Sequence, residues 1–297
     1  MSKNLTNAAV TEFDSEVKHE YQGMKTLREC VTTRTGVTGE AYKFTRMGKG
    51  LANQKASQAD VTPMDIAHSR QTANLDNWNA PEYTDIFDQA EVNFDEKSEL
   101  AQTIAKAIGR REDQLIIDTL AGGTGGGGAG FSFAATNDGD PETGRVFDIS
   151  ATRNFDLDSI RSAKGHLDDI EAEAGERFIV VRAQAMQKLL EDNTVTSTDF
   201  NTIRALVNGE LDTFLGFRFK VIGSRVEGGL PGVAADREAF AWQKASIGIA
   251  IGIDLKTTID WVAQKTSWLA NGIYKAGCTA REPQGIVKII YDETVTT

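Results

Sequence analysis

Residues 95–122 read DEKSELAQTIAKAIGRREDQLIIDTLAG, and this stretch decides the fold. Leu100, Ile104, Ala107, Ile108 and Leu115 recur at helical steps, which places them on one face of a helix. Ile116, Ile117 and Leu120 widen the apolar stripe, so the last turns should be buried on more than one side. Asp95 can cap the first turn, and Asp95, Glu96 and Glu99 suit the positive end of the helix dipole. Arg110 and Asp113 are spaced to pair on the exposed face. Gly122 and Gly123 supply a left-handed stop. At ~1.5 Å per residue the helix spans roughly 40 Å, the width of a small domain. The internal Gly109 weakens it by about 1 kcal/mol relative to Ala and is a candidate bend point. The stretch is a structural spine.

Outward from it, the 297-residue chain is long enough for a substantial core, in two domains. No apolar run approaches the roughly 20 residues of a membrane helix, so no membrane partner is expected. Residues 1–21, MSKNLTNAAVTEFDSEVKHEY, lack the basic-then-apolar order of a signal peptide. Two cysteines, Cys30 and Cys278, do not make a disulfide framework. A net charge of -11 argues against a dedicated nucleic-acid reader, though not against a protein that encloses nucleic acid.

Residues 1–35 are polar, with Val10, Phe13, Val17 and Tyr21 at helical steps. They read as a partly ordered terminus or as an arm that orders against a neighbour. Residues 36–90 read as an extended excursion. Tyr42, Phe44 and Arg46 alternate with Lys43, Thr45 and Met47, Gly48-Lys49-Gly50 breaks the strand, and a return strand runs from Ile66 to Leu75. A hairpin with so little to bury would be marginal alone. Covered by another subunit, its Lys43, Arg46, Lys49, Lys55 and Arg70 would meet acidic neighbours.

After the spine comes GGTGGGGAG, residues 122–130. Gly123, Gly125 and Gly128 match the dinucleotide spacing, but the motif should follow a strand and open a helix, and here it follows a helix. A flexible connection is the better reading. Asp138, Asp140 and Glu142 lack the ligand pattern of a calcium loop and read as a turn. From Asp156 the chain reads α/β. Asp158 caps a helix with Ile160, Ala163, His166, Leu167 and Ile170 at helical steps. A buried strand follows over 177–182, then a helix with Met186, Leu189 and Leu190 inward, and a short helix over 200–207. Strands flank Gly216, another lies at 240–242, and residues 246–292 form strands separated by Gly and Asp turns.

No catalytic constellation is present, and no cofactor or metal is expected. His19, His68 and His166 are not near a cysteine or at ligand spacing, and His166 reads as a core or boundary residue. No nucleophile elbow occurs. Asp168, Asp169, Glu171 and Glu173 read as a solvated helix face, and Trp242, Trp261 and Trp268 as packing residues. The parts suggest assembly, because exposed extended elements gain stability by burial on partners.

Several stretches in order carry a resemblance. AIGRREDQLIIDTLAGG (107–123) ends the spine, and ERFIVVRAQAMQKLLED (176–192) is a strand–helix pair. GELDTFLGFRFKVIGSRV (209–226), AFAWQKASIGIAIG (239–252) and IDWVAQKTSWLANGIYKAGCTAREPQGIVKI (259–289) follow. Together they resemble the major capsid proteins of tailed bacteriophages, which have the α+β Hong Kong 97-type fold. The resemblance implies an N-terminal arm at 1–35 and an E-loop at 36–90. It implies a P-domain at 91–144 and 246–297 around a spine helix at 95–121, and an A-domain at 145–245. It further implies hexamers and pentamers of an icosahedral shell enclosing double-stranded DNA, assembled in the host cytoplasm and found in the virion. The E-loop would lie over a neighbouring subunit, with the arm reaching under it. Residues 1–35 are too short for a fused scaffolding domain, so a separate scaffolding protein is expected, with a portal and a possible cement protein. Lys43, Lys49 and Lys55 qualify by location for the covalent cross-link some members make, but no residue indicates that reaction. Gly109, Gly122, Gly123 and Gly125 are candidates for absorbing shape change. Two rival readings are an encapsulin, a shell of the same fold that carries enzymes, and an enzyme using the glycine tract for a nucleotide.

Overall fold

A computed structural model describes residues 21–91, 96–136, 140–150, 153–191 and 213–294. The expected spine is helix α2 (Glu96–Leu120), preceded by the short α1 (Ile86–Glu91). Ile104, Ile108, Leu115, Ile116, Ile117 and Leu120 are buried along it. It stops as expected at Gly122, whose φ of 80° is left-handed. The proposed cap Asp95 lies outside the described residues.

The spine lies between two sheets. One has four strands in the order β1 (Thr32–Thr35), β12 (Ile247–Val262), β13 (Ser267–Ala280), β4 (Asp76–Asp85). Gly272 of β13 brings α2 close, since a Cβ there would lie 2.6 Å from the Ile108 side chain. The other has eight strands. Its path is β5 (Phe133–Ala134), β6 (Gly144–Asp148), β14 (Ile286–Asp292), β11 (Asp236–Gln243), β7 (Arg177–Val181), β9 (Phe217–Val221), β8 (Thr213–Phe214), with β10 (Gly232–Val233) beside β11. Alternation gives this sheet two buried faces. Phe178, Val180, Phe240, Trp242 and Ile286 join the spine's core. Ile179, Val181, Ala239, Ala241, Val287 and Ile289 pack with residues of α3 (Leu157–Asp169) and α4 (Ala183–Glu191).

Several boundaries differ from the sequence reading. Residues 247–262 form one strand rather than a series, because Gly252 and Asp254 are absorbed at bulges opposite β13. Strand β14, expected in the P-domain with 246–297, pairs instead with β11 and β6 in the eight-stranded sheet. Strand β4, expected within the E-loop span 36–90, belongs to the four-stranded sheet. The cap of α3 is Asp156, which accepts from the Ser159 amide at 2.9 Å; Asp158 lies in the first turn and pairs with Arg161. The helix expected at 200–207 and Asp138 lie outside the described residues.

Candidate assembly interface

The expected hairpin forms, β2 (Ala41–Met47) pairing antiparallel with β3 (His68–Asn74) and Phe44 opposite Gln71. Only its root is anchored. Phe44, Ala73 and Leu75 bury against Ala250, and the Tyr42 and Phe44 rings meet edge to face at 4.8 Å. Residues 48–65 of the tip are exposed throughout, leaving Leu51 at 78% and Val61 at 75% exposure. Lys43, Lys49, Lys55 and Arg70 are exposed and make no ion pair among the described residues. Arg46 differs. It pairs with Glu142 of its own chain, and its Nη1 donates to the Pro141 carbonyl at 3.2 Å. Gln71 donates to the same carboxylate at 2.8 Å. Arg46 therefore fixes the hairpin to its own subunit rather than standing free for a neighbour.

A second convergence lies at residues 109–114 of α2. Arg110 and Asp113 do not pair with each other. Asp113 is fully buried and accepts from the amides of Thr26 (3.0 Å) and Leu27 (2.9 Å), the Thr26 hydroxyl (3.1 Å) and Arg225 Nη1 (2.8 Å). Arg110 donates to Glu227 and Gln22, both at 2.9 Å, and Gln114 Oε1 accepts from the Gly229 amide. The carboxylate pattern looked like a surface pair because its partners are a hundred residues away in sequence. Gly109 sits where the arm crosses, and a Cβ there would lie 3.3 Å from Lys25 Cβ. Beyond the crossing, Leu27, Cys30 and Val31 are buried, and Trp242 donates to the Cys30 carbonyl at 2.9 Å.

Beside this junction, Glu112 lies 3.5 Å from Arg28, which grips Asp254 of β12 in a two-pronged bond at 3.0 and 2.7 Å. Burial pushes the Glu112 carboxyl above its usual value, against the opposing pull of Arg28. The Arg28 hydrogen bonds hold Asp254 below its usual value. Burial pushes the Cys30 thiol up to about 11 and the Cys278 thiol to about 12, so neither presents a thiolate. His166 is the core histidine expected, its ring nitrogen 3.0 Å from the Gln284 carbonyl, and burial lowers its pKa.

The glycine tract is a packed seam rather than a flexible connection. The Asn74 amide donates to Gly127 and the Cys278 amide to Gly126, tying the hairpin root and β13 to the spine's end. A Cβ at Gly126 would lie 2.7 Å from the Leu115 carbonyl, and one at Gly128 2.8 Å from the Cys278 carbonyl. At Gly122 it would lie 2.7 Å from the Phe131 carbonyl, at Gly125 2.9 Å from the Asp118 carboxylate, and at Gly123 3.2 Å from the Asp118 carbonyl. Protein atoms this close to the backbone account for the glycines without a nucleotide.

No curated protein matches the chain in sequence. Among solved structures it is similar to the capsid of the cyanophage P-SCSP1u, at 15% identity and a TM-score of 0.75, covering 98% of this chain and 95% of that one. It is similar to the capsid of a native GTA particle, at 16% identity and a TM-score of 0.72, with 98% and 97% covered. The head structure of Helicobacter pylori bacteriophage KHP40 gives 10% identity and a TM-score of 0.73, with 98% of each chain covered. The likeness establishes the Hong Kong 97-type fold. The phage capsid protein family matches over residues 5–293, nearly the whole length, so the chain belongs to that family and is a structural capsid protein.

Proposed function

We propose that copies of this chain assemble as hexamers and pentamers into an icosahedral shell that encloses double-stranded DNA of a tailed phage. The observation that carries the reading is the E-loop. Residues 48–65 hold Leu51, Val61 and Met64 away from their own subunit, and such exposure is relieved by burial on a neighbour. The E-loop lies over the adjacent subunit in this reading, with Lys43, Lys49, Lys55 and Arg70 meeting carboxylates of a chain that carries 43 acidic against 32 basic residues. Each exposed pair contributes about 0–1 kcal/mol, weak enough for misplaced subunits to leave, while many together hold a shell. A separate scaffolding protein, a portal and a possible cement protein complete the partners, with assembly in the host cytoplasm.

Expression alone and with a candidate scaffolding protein, followed by electron microscopy, tests the reading. Closed shells or capsomer rings are expected. A monomer that stays monomeric at high concentration with every candidate would refute it.

A further inference from the structure

The four-stranded sheet has two edges, and the chain treats them differently. Strand β4 carries Pro81, which has no N–H to offer a partner, so that edge is blunted. Strand β12 is covered on its outer side by β1 only from Gly248 to Ile251. From Gly252 to Val262 that edge has no strand partner among the described residues and contains no proline. Its regular part, Lys256–Val262, pairs without interruption with β13 on the other side.

Alternation sorts the side chains of this edge. Thr257 is opposite Gly272, Ile259 opposite Ala270 and Trp261 opposite Trp268, and Gly272 abuts the spine. Thr257, Ile259 and Trp261 therefore lie on the spine side. Lys256, Thr258 and Asp260 lie on the outer side. Ile259 and Trp261 remain 40% and 42% exposed on that side. Lys256 and Asp260 are exposed and make no ion pair among the described residues.

We propose that two copies of the chain join antiparallel through this edge, about a two-fold axis at Thr258. The strand is complementary to itself in that register. With Thr258 opposite its own copy, Lys256 comes opposite Asp260 twice on the outer side, and Thr257 comes opposite Ile259 on the spine side. An antiparallel pair keeps the two spine sides on one face, so the Thr257 methyl meets Ile259, charge meets opposite charge, and the sheets of both copies become continuous. The inference rests on the assembly reading and adds to it a contact made by β12, apart from the E-loop.

Charge reversal tests it. Lys256→Asp or Asp260→Lys alone sets like charges opposite one another at two positions, and a roughly tenfold loss of pairing is expected, read as subunits failing to join shells. The double reversal restores the match only if the strand faces itself, so shells should return. Independently, Thr258→Cys places two thiols on the axis, where opposed Cα atoms are ~4.5–5.5 Å apart and within disulfide reach. Oxidation should give covalent dimers on a non-reducing gel. Wild-type shells whose Thr258→Cys counterparts give no dimer, or a double reversal as defective as either single, overturn the proposal and leave the assembly reading standing. If the wild type forms no shells, the same cross-link in concentrated purified protein decides.

Discussion

Replacing Asp113 with alanine should be among the most damaging single changes at the spine. The carboxylate accepts from two backbone amides and a hydroxyl of the arm and from Arg225, whose side chain is only 7% exposed. Removing it orphans those donors and leaves a buried guanidinium unpaired, a situation that costs about 3–5 kcal/mol. Each lost charge-assisted bond is worth about 1.5–3 kcal/mol, but the arm can shift and admit water, so about 4 kcal/mol is a reasonable total. At about 2–4 °C per kcal/mol for larger domains, Tm should fall by roughly 8–16 °C. The reciprocal change is asymmetric. Arg225→Ala leaves Asp113 three donors and should cost about half as much. The double variant should cost less than the sum of the singles, giving a coupling of about 1–3 kcal/mol. Thermal melts of the four proteins give the cycle, and limited proteolysis at residues 21–27 reports the arm. An Asp113→Ala protein within about 0.5 kcal/mol of the wild type, or strictly additive singles, would refute the idea that this carboxylate holds residues 26–27, the spine and the loop of Arg225 together.

Glu112 has a raised pKa in the fold, so the folded state binds its proton more tightly than the unfolded chain. Its favourable contribution is complete below the ordinary value of 4.5 and is lost as pH rises through the folded value. The Tm of wild type minus that of Glu112→Gln should accordingly decrease as pH is raised from 4.5; a pH-independent difference would sink the assignment. Gly126→Val drives a branched side chain into the Leu115 carbonyl and should yield insoluble protein, whereas a flexible tract would tolerate it, as solubility after expression will show. Leu51→Asp, at an exposed tip, should leave the subunit's Tm within about 1 °C while lowering shell yield in electron micrographs.

What was legible followed from local periodicity. The spine's face from Leu100 to Leu120 announces itself at every turn because the helix packs into one core along most of its length. The hairpin strands show because the Phe44 side alternates with solvent. Non-local choices were not legible. Asp113 offers Arg110 at ideal helical spacing, and nothing nearby in sequence signals Arg225 as the actual partner. Ile286–Asp292 could complete either sheet by its own pattern, and its place between β11 and β6 is set by partners distant in sequence. The glycine tract misled because composition does not separate backbone freedom from close approach. Gly126 and Gly128 are required by the carbonyls against them, not by motion.

These contacts also locate where the subunit can change shape. A bend at Gly109 would have to displace Lys25 and the buried bonds of Asp113, and movement of the tract would break its ties to Asn74 and Cys278. The ion pair beside the hairpin root is softer. Glu142, which holds Arg46 and Gln71, is 46% exposed on its side chain, so that ion pair contributes about 0–1 kcal/mol. With Phe44, Ala73 and Leu75 still packed on Ala250, the strand ends beyond that cluster can loosen at Arg46 at lower cost than the spine can bend. Arg46→Ala should leave Tm nearly unchanged yet speed amide exchange across 41–47 and 68–74, with exchange in 109–120 unaltered. Equal acceleration along the spine would show that the root and the junction move as one body, and would return Gly109 to the position of hinge.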